Sequence, residues 1–367
     1  MTFRHPILPT VLAVLMPALA PAAQGPPAPP VPPRAGTAPL SSQVAWFARP
    51  QDDRRGPETT EKVTRRFTLG PDGALDIFNM AGTIVVTGAP GGEVVLTAVK
   101  RVRGRADDAE AQLAATIIDA RELGGRLEVR TITKRTKDAH TWVDYSVQVP
   151  YATAVSARVM AGDVKVFKVR GDVQIESTTG TIEAIETPRL LRVKTLSGDI
   201  LLTDAASVGA LAASTVSGQM TVKSVKARSL DLATISGDMR LTDTSCDRAQ
   251  LRTVNGALEF LGALAKGGRY EFTSHSGDVL LKLKGQAGFE LTARTFSGDV
   301  RSDLPLVMDP EDRNLPPGVP QRRDVRGTFG AGGALVLVKT FSGSVVVGRA
   351  DSSSSESRPD KKQGSKN

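Results

Sequence analysis

A six-residue pattern built on Ser-Gly-Asp returns along the chain at a nearly fixed interval, and this interval limits the fold more than any other feature. Clear copies occupy residues 195–200, 234–239 and 295–300. From Gly162 to Gly298 the repeated glycines are 18 to 21 residues apart, and the last copy follows after a gap of 45 residues. A fixed period near 20 indicates structural units that stack on one another.

The residues around each glycine predict the structure of one unit. Apolar residues lie five positions before the glycine and two positions after it, as at Val193 and Ile200, and alternate with polar residues on both sides. This alternation predicts strand, turn, strand with one buried face. The turn glycines, which we expect to adopt a positive φ that other residues resist, are Gly162, Gly180, Gly198, Gly218, Gly237, Gly256, Gly277, Gly298 and Gly343.

A unit of this length cannot bury its own apolar face, so successive units must stack. It is also too short to carry a helix in every repeat. We therefore predict an all-β fold, a parallel β-helix or solenoid with about 20 residues per coil. Residues 106–120 predict one amphipathic helix in the N-terminal part that caps or braces the stack. The proline-rich residues 301–327 predict a loop insertion.

The segments outside the solenoid differ in composition. Residues 1–22 combine a short basic start, an apolar run and small residues at a cleavage position, which is typical of a signal peptide. The proline-rich residues 23–62 predict a disordered linker, and the solenoid is assigned to 63–349. The serine-rich and charged residues 350–367 predict a disordered tail. We expect an exported protein, periplasmic or at the cell surface, with no transmembrane segment after signal cleavage.

The repeated Ser-Gly-Asp units resemble those of the bacterial "putative adhesin" family of β-strand-repeat proteins. Residues 143–150, which lead into the repeat at 161–164, and residues 327–333, which precede the last repeat, also resemble that family. The resemblance covers roughly residues 63–349. It implies a right-handed β-helix, a location outside the cytoplasm and a role in the cell envelope; it implies no catalytic residues.

Aspartate follows many of the repeat glycines. Asp163, Asp199 and Asp238 occupy alternate coils, whereas Asp278 and Asp299 are expected in adjacent coils. One interpretation is that these carboxylates satisfy backbone groups of the turns. The other is that Asp278 and Asp299 share Ca²⁺ or another cation with oxygen ligands. No other cofactor is expected.

Composition narrows the function. A formal net charge of +8 permits contact with acidic polymers, but aromatic residues make up only 4% of the chain, and we expect no nucleic-acid partner. Cys246, the sole cysteine, is expected to be a small, partly buried residue. His275 takes the place of an apolar residue in other coils and is predicted to be a half-buried spacer rather than a catalyst.

These observations lead to three functional hypotheses. The first is a non-enzymatic envelope protein whose β-helix binds a surface polymer or a protein partner, as in adhesion. The second is a polysaccharide-active lyase or hydrolase, which would need an acid pair with a basic or histidine partner in a groove. The third is a structural or envelope-stress-sensing component whose partner binds the helix cap or the tail. The sequence leaves the oligomeric state open.

Overall fold

The computed structural model describes residues 58–70, 72–104, 106–134, 141–308 and 323–350. These residues form an all-β structure with one helix, which confirms the predicted class. The predicted signal peptide, linker residues 23–57 and tail residues 351–367 lie outside the described residues. No helix in the described part of the chain is long and apolar enough to cross a membrane.

Seven strands and the helix form the N-terminal part. They are β1 (Glu58–Thr68), β2 (Ala74–Ala81), β3 (Ile84–Ala89), β4 (Glu93–Arg103), α1 (Ala106–Ala115), β5 (Thr116–Leu123), β6 (Arg126–Thr133) and β7 (Trp142–Pro150). Buried and more exposed residues alternate along β3 and β4, as expected for strands with one face on the core.

Thirteen strands form the regular middle of the stack. They are β8 (Ala154–Ala161), β9 (Val164–Phe167), β10 (Val173–Thr179), β11 (Ile182–Ile185), β12 (Leu190–Ser197), β13 (Ile200–Thr203), β14 (Ala206–Ser217), β15 (Met220–Lys223), β16 (Lys226–Ser236), β17 (Met239–Asn255), β18 (Leu258–Ala263), β19 (Arg269–Ser276) and β20 (Val279–Lys284).

Six strands complete the C-terminal part. They are β21 (Phe289–Ser297), β22 (Val300–Ser302), β23 (Val307–Met308), β24 (Asp324–Phe329), β25 (Ala334–Ser342) and β26 (Val345–Arg349).

The strands before the glycines and the strands after them form two parallel sheets. In the first, the long-strand sheet, Ile175 pairs with Ala157 of the preceding coil and Val193 of the following one. In the second, the short-strand sheet, Ile182 pairs with Val164 and with Ile200. Matching positions of successive repeats are therefore neighbours in space.

A second corner follows the short strands in the middle of the stack. Five residues there have positive φ angles between 50° and 57°, a region that non-glycine residues rarely adopt. They are Lys168, Glu186, Asp204, Ser224 and Asp243. The backbone N–H of each of the first four donates to a carbonyl of the following coil, so hydrogen bonds between coils hold this bend.

One continuous apolar core fills the stack, and it is built mainly from Val, Leu, Ile and Ala. Full burial of one such large side chain contributes roughly 1.5–3 kcal/mol, so several per coil hold neighbouring coils together. Cys246 belongs to this core, and burial raises the pKa of its thiol to about 12. The Tyr270 hydroxyl donates to the Cys246 carbonyl at 2.6 Å.

The first repeat of the chain does not lie at the end of the stack. Strands β2 and β3, joined through Gly82, lie between the coil of β6–β7 and the coil of β8–β9. Antiparallel β5 closes the long-strand sheet against β6, and antiparallel β4 and β1 close the short-strand sheet against β7. These added strands cover edges that parallel coils would otherwise expose.

The last repeat is also placed inside the stack. Strand β25 pairs with β19 on one side and β21 on the other, and β26 pairs with β20 and β22. The coil around Gly343 therefore separates the coils of Gly277 and Gly298. Antiparallel β24 covers β21 at this end.

Three predicted boundaries are wrong. Helix α1 ends at Ala115 rather than at residue 120, because the β-branched residues from Thr116 to Ile118 start strand β5 and pair with β6. Strand β1 begins at Glu58, so residues 58–62 belong to the fold rather than to the linker. The insertion 301–327 contains the end of β22, the whole of β23 and the start of β24.

Candidate functional site

The nine predicted turn glycines form one column along the stack, which we call the glycine corner. Their φ angles lie between 131° and 151° for all but Gly256, at 156°. A Cβ placed on Gly218 would lie 2.1 Å from the Gly198 carbonyl oxygen, and the other members face a neighbouring carbonyl in the same way. Each coil thus approaches the next too closely for any side chain at this position.

The residues directly after the glycines form a second column in which aspartate occupies every other coil. Asp144 of β7, which follows Val143 rather than a glycine, begins this column. In spatial order the column continues with Thr83, Asp163, Thr181, Asp199, Gln219, Asp238, Ala257, Asp278, Ser344 and Asp299. The Oδ1 atom of each of the first five aspartates accepts the backbone N–H of the following coil at 2.7–2.8 Å. The carboxylates therefore join the coils in pairs.

The expectation that Asp278 and Asp299 lie in adjacent coils is wrong. The coil carrying Ser344 lies between them, and its backbone N–H donates to Asp278 Oδ1 at 2.7 Å. Two coil spacings of about 4.8 Å separate the two carboxylates, which is too far for one shared cation. Asp299 instead contacts Arg301 at 3.2 Å. Among the described residues, no three His, Cys, Asp or Glu side chains are placed to hold a metal ion.

Replacing Asp199 with alanine should lower the free energy of unfolding by about 1–2 kcal/mol, because the Gln219 N–H loses its charged acceptor. Asp199→Asn keeps an oxygen at this position and should cost less. Urea denaturation of both variants measures the difference. Gln219→Ala, a change in the same column that removes no acceptor, should stay within about 0.5 kcal/mol of the wild type; equal effects at both positions would show that the hydrogen bond is unimportant.

A cavity of about 740 Å³ lies at the N-terminal end of the glycine corner. Its floor includes backbone around three stacked glycines, Gly82, Gly162 and Gly180. Its walls include the half-exposed indole of Trp142 and the side chains of β1 and β4. This volume lies within the range of about 300–1,000 Å³ that is typical of ligand sites.

Charged side chains of both signs surround the cavity. Arg101 forms an ion pair with Asp144, and Arg103 pairs with Glu58 at 3.0 Å. All four residues line the cavity. They offer hydrogen-bond donors and acceptors beside the aromatic face of Trp142, an arrangement suited to a ligand with many hydroxyl groups.

A buried polar network fixes the backbone behind this cavity. The Asn79 side chain donates to the Val143 carbonyl at 2.7 Å and accepts from Thr131 at 2.8 Å. Thr131 is also 2.7 Å from the Tyr145 hydroxyl, whose pKa burial raises to about 12. Because these buried groups have partners, the strands that carry Trp142 and Gly82 are held firmly.

The sequence did not reveal this cavity. Arg101 and Arg103 lie in a stretch of alternating charge, a pattern that is usually typical of a solvated surface, and Trp142 belongs to no copy of the repeat. Strands β4 and β7 pair antiparallel, which places Arg101 opposite Trp142 although they are 41 residues apart. His140 lies outside the described residues. His275 is exposed rather than half-buried, and its ring stacks on Phe341 with centroids 4.9 Å apart.

Comparison with solved structures gives similar proteins of low sequence identity. A putative adhesin from Bacteroides fragilis is 12% identical, with 78% of this chain and 96% of that chain covered and a TM-score of 0.34. A putative lipid binding protein from Parabacteroides distasonis is 11% identical, with 79% and 97% covered and a TM-score of 0.37. No protein of characterised, curated function matches the sequence significantly.

Residues 131–347 match the family model described as Toastrack DUF4097. The matched segment begins in β6 and ends in β26, so it contains all nine turn glycines and most of the stacked coils. This is more than half of the chain, and the chain therefore belongs to the Toastrack DUF4097 family.

Proposed function

We propose that this protein is a non-enzymatic binding scaffold of the cell envelope that holds a surface polysaccharide in the cavity beside Trp142. The observation that supports this most is the half-exposed indole among paired arginines and carboxylates in a cavity of about 740 Å³. Tryptophan offers an apolar face for the C–H surface of a sugar ring, and the charged side chains offer partners for its hydroxyls.

A polymer suits the site better than a small molecule because the cavity is one end of a long corner. The glycine corner continues from Gly180 through the stacked coils to Gly298. The firmly bonded backbone behind the cavity limits the ordering cost of binding, which favours affinity in a preformed site.

Export to the periplasm or cell surface is part of the same proposal, and the pattern of residues 1–22 supports it. The right-handed winding of the coils and the repeat of about 20 residues are also part of this proposal. A polysaccharide-cleaving enzyme is the alternative, since Glu58 and Asp144 place two carboxylates at the cavity.

The test is binding of the purified protein to insoluble peptidoglycan and to a panel of neutral and acidic oligosaccharides. Trp142→Ala should weaken binding at least tenfold, Trp142→Phe should retain most of it, and Val208→Ala, at an exposed site on another part of the surface, should leave it unchanged. Equal binding by wild type and Trp142→Ala would refute the site. Shortened oligosaccharide products after prolonged incubation would refute the non-enzymatic role.

A further inference from the structure

An exposed apolar column runs beside the glycine corner for the whole length of the stack. It consists of the residues two positions before each glycine and their equivalents in β5 and β6, and we call it the apolar stripe. In spatial order its members are Ile117, Ile132, Met80, Met160, Thr178, Leu196, Val216, Ile235, Val254, His275, Phe341 and Phe296.

The apolar members of the stripe are between 39% and 64% exposed. Its aromatic end is regular, since the rings of Phe341 and Phe296 stack with centroids 4.8 Å apart and an interplanar angle of 5°. At about 4.8 Å per coil, twelve positions extend for roughly 50 Å. Single exposed apolar residues are ordinary, but a contiguous row of this length is typical of an interaction surface.

The two flanks of the stripe carry opposite charges. On one side, two residues further from the glycines, the exposed charged residues are mainly basic. The twelve positions of this column hold six bases, Arg130, Arg158, Lys194, Arg252, Lys339 and Arg294, together with the acids Asp119 and Glu176 and four uncharged residues. On the other side, around the glycine corner, lies the column in which aspartate occupies every other coil. Across the corner the surface therefore runs basic, apolar, acidic.

We propose that a second copy of this chain docks along the apolar stripe, with the two-fold axis parallel to the stack. Such an axis places the basic flank of each copy against the acidic flank of the other, because the rotation exchanges the two sides. A two-fold axis perpendicular to the stack would place like charges opposite each other. The surface is thus complementary to itself in the parallel arrangement, which an isologous interface requires.

The levels of the charges agree with this arrangement. A two-fold axis parallel to the stack brings equal coils of the two copies side by side. Four coils carry both a base and an acid at the same level; they are the coils with Arg130 and Asp144, Arg158 and Asp163, Lys194 and Asp199, and Arg294 and Asp299. Three of these bases also pair within their own chain, Arg130 with Glu128, Arg158 with Asp76 and Arg294 with Asp324. Lys194 and Asp199 therefore form the clearest pair across the interface. The coil of Arg252 lies between the coils of Asp238 and Asp278, so Arg252 of one copy is one level away from each of these carboxylates of the other copy.

The exposed area of the stripe provides most of what a dimer needs. The two half-exposed phenylalanines offer roughly 70–100 Å² each, about half of the area that an aromatic side chain can bury, and the eight aliphatic members roughly 30–60 Å² each. The stripe then provides roughly 400–700 Å² per copy, and its charged flanks supply the rest of the about 800 Å² that a standard interface buries on each partner. A second copy also has the same coil spacing, so side chains of the two stripes keep the same register along the whole rod.

The experiment measures self-association of the full chain by sedimentation velocity over a range of concentrations. Wild type should form a dimer. The double variant Leu196→Lys with Ile235→Lys should raise the dissociation constant at least 100-fold, while Val208→Lys, at a 78% exposed site outside the stripe, should leave it unchanged. Both altered stripe positions point outward, and an unchanged circular dichroism spectrum and melting temperature verify that the double variant is folded.

Orientation is tested by oxidation of variants that each add one cysteine to the native Cys246, one in each half of the stripe. Met160→Cys and Phe341→Cys should each form a disulfide-linked dimer on its own, because a parallel dimer brings each residue against its own copy. A dimer in which neither variant links to its own copy would overturn the parallel arrangement, as would linkage only in a mixture of the two variants. The buried Cys246 thiol does not compete, since its pKa is raised to about 12.

Other outcomes overturn the proposal. A wild type that is monomeric at all concentrations would overturn it. A dimer that persists in the double lysine variant would overturn it as well. Binding of monomers to vesicles of phosphatidylglycerol and phosphatidylethanolamine, abolished by that double change, would assign the stripe to a membrane instead. Asp144 and Asp163 belong both to the acidic flank and to the lining of the cavity, so the two proposals are separated by variants that change neither carboxylate. Trp142→Ala should weaken polysaccharide binding and leave the dimer intact, whereas Leu196→Lys with Ile235→Lys should abolish the dimer without altering a residue that lines the cavity.

Discussion

Gly218→Ala should lower the free energy of unfolding by about 3–5 kcal/mol, a large effect for the addition of one methyl group. The added Cβ would lie 2.1 Å from the Gly198 carbonyl oxygen and 2.5 Å from its carbon, and both are backbone atoms that cannot turn away. The φ of 149° adds strain of about 1–3 kcal/mol, since side chains resist this region. Urea denaturation followed by circular dichroism measures the change.

Gly209→Ala is the matched control for this prediction. Gly209 lies in β14, the strand that ends one residue before Gly218, but a Cβ there would meet no atom within 4 Å, and its φ is not positive. The change should stay within about 0.5 kcal/mol of the wild type. Similar losses of stability in Gly209→Ala and Gly218→Ala would mean that the close approach of the coils at the glycine corner does not determine which residues position 218 tolerates.

Deleting residues 334–367 should destabilise two coils rather than one. The deletion removes β25 and β26, which form the layer between β19–β20 and β21–β22. It eliminates the burial of Ala334, Val336, Val338, Val345 and Val347, and at roughly 1.5–3 kcal/mol for each large side chain the loss from the four valines alone is about 6–12 kcal/mol. The preceding coil of β21–β22 then loses its parallel neighbours and keeps only the antiparallel pairing of β21 with β24.

Hydrogen exchange shows which coils are lost. Amides of β21 and β22 should lose protection together with those of β19 and β20 that face the deleted layer, and the melting temperature should fall by more than 10 °C. Deletion of residues 351–367 alone is the control and should leave the exchange of β21 unchanged. A shortened chain in which β21 keeps its full protection would show that the last repeat is only an end coil.

The repeat and its core could be predicted from the sequence because they follow from local spacing. Positions such as Gly198 and Gly218 are 20 residues apart, and the alternation around them assigns buried and exposed residues without knowledge of the rest of the chain. The interpretation that the aspartates satisfy backbone groups of the turns follows from the same local spacing. Asp199, for example, is one residue after a glycine whose turn brings the next coil within hydrogen-bond distance.

The order of the last coils could not be predicted in this way. The spacing of 45 positions from Gly298 to Gly343 is long enough to place the last repeat either at the end of the stack or between the two preceding coils. The alternation of aspartates contains a hint, since Ser344 between Asp278 and Asp299 keeps two carboxylates from lying about 4.8 Å apart. The repulsion of adjacent carboxylates thus favours the inserted position.

The cavity and the end of helix α1 depend on contacts between distant residues. Trp142 and Arg101 meet only because β4 returns antiparallel to β7. Residues 116–118 continue the helical pattern of their neighbours, but pairing with β6 buries Thr116 and Ile118 in a strand. Tertiary pairing outweighs local preference at both places.

The placement of the last repeat is tested most directly by disulfide formation within the glycine corner. Ser276, Ser342 and Ser297 are exposed and occupy matching positions, with Ser342 paired to each of the other two. Neighbouring coils are about 4.8 Å apart, which suits a disulfide, whereas two spacings exceed its reach of about 7 Å. Within the monomer, Ser276→Cys with Ser342→Cys and Ser297→Cys with Ser342→Cys should both cross-link, and Ser276→Cys with Ser297→Cys should not. Efficient cross-linking of that third pair would contradict the inserted coil and the alternating aspartate column with it.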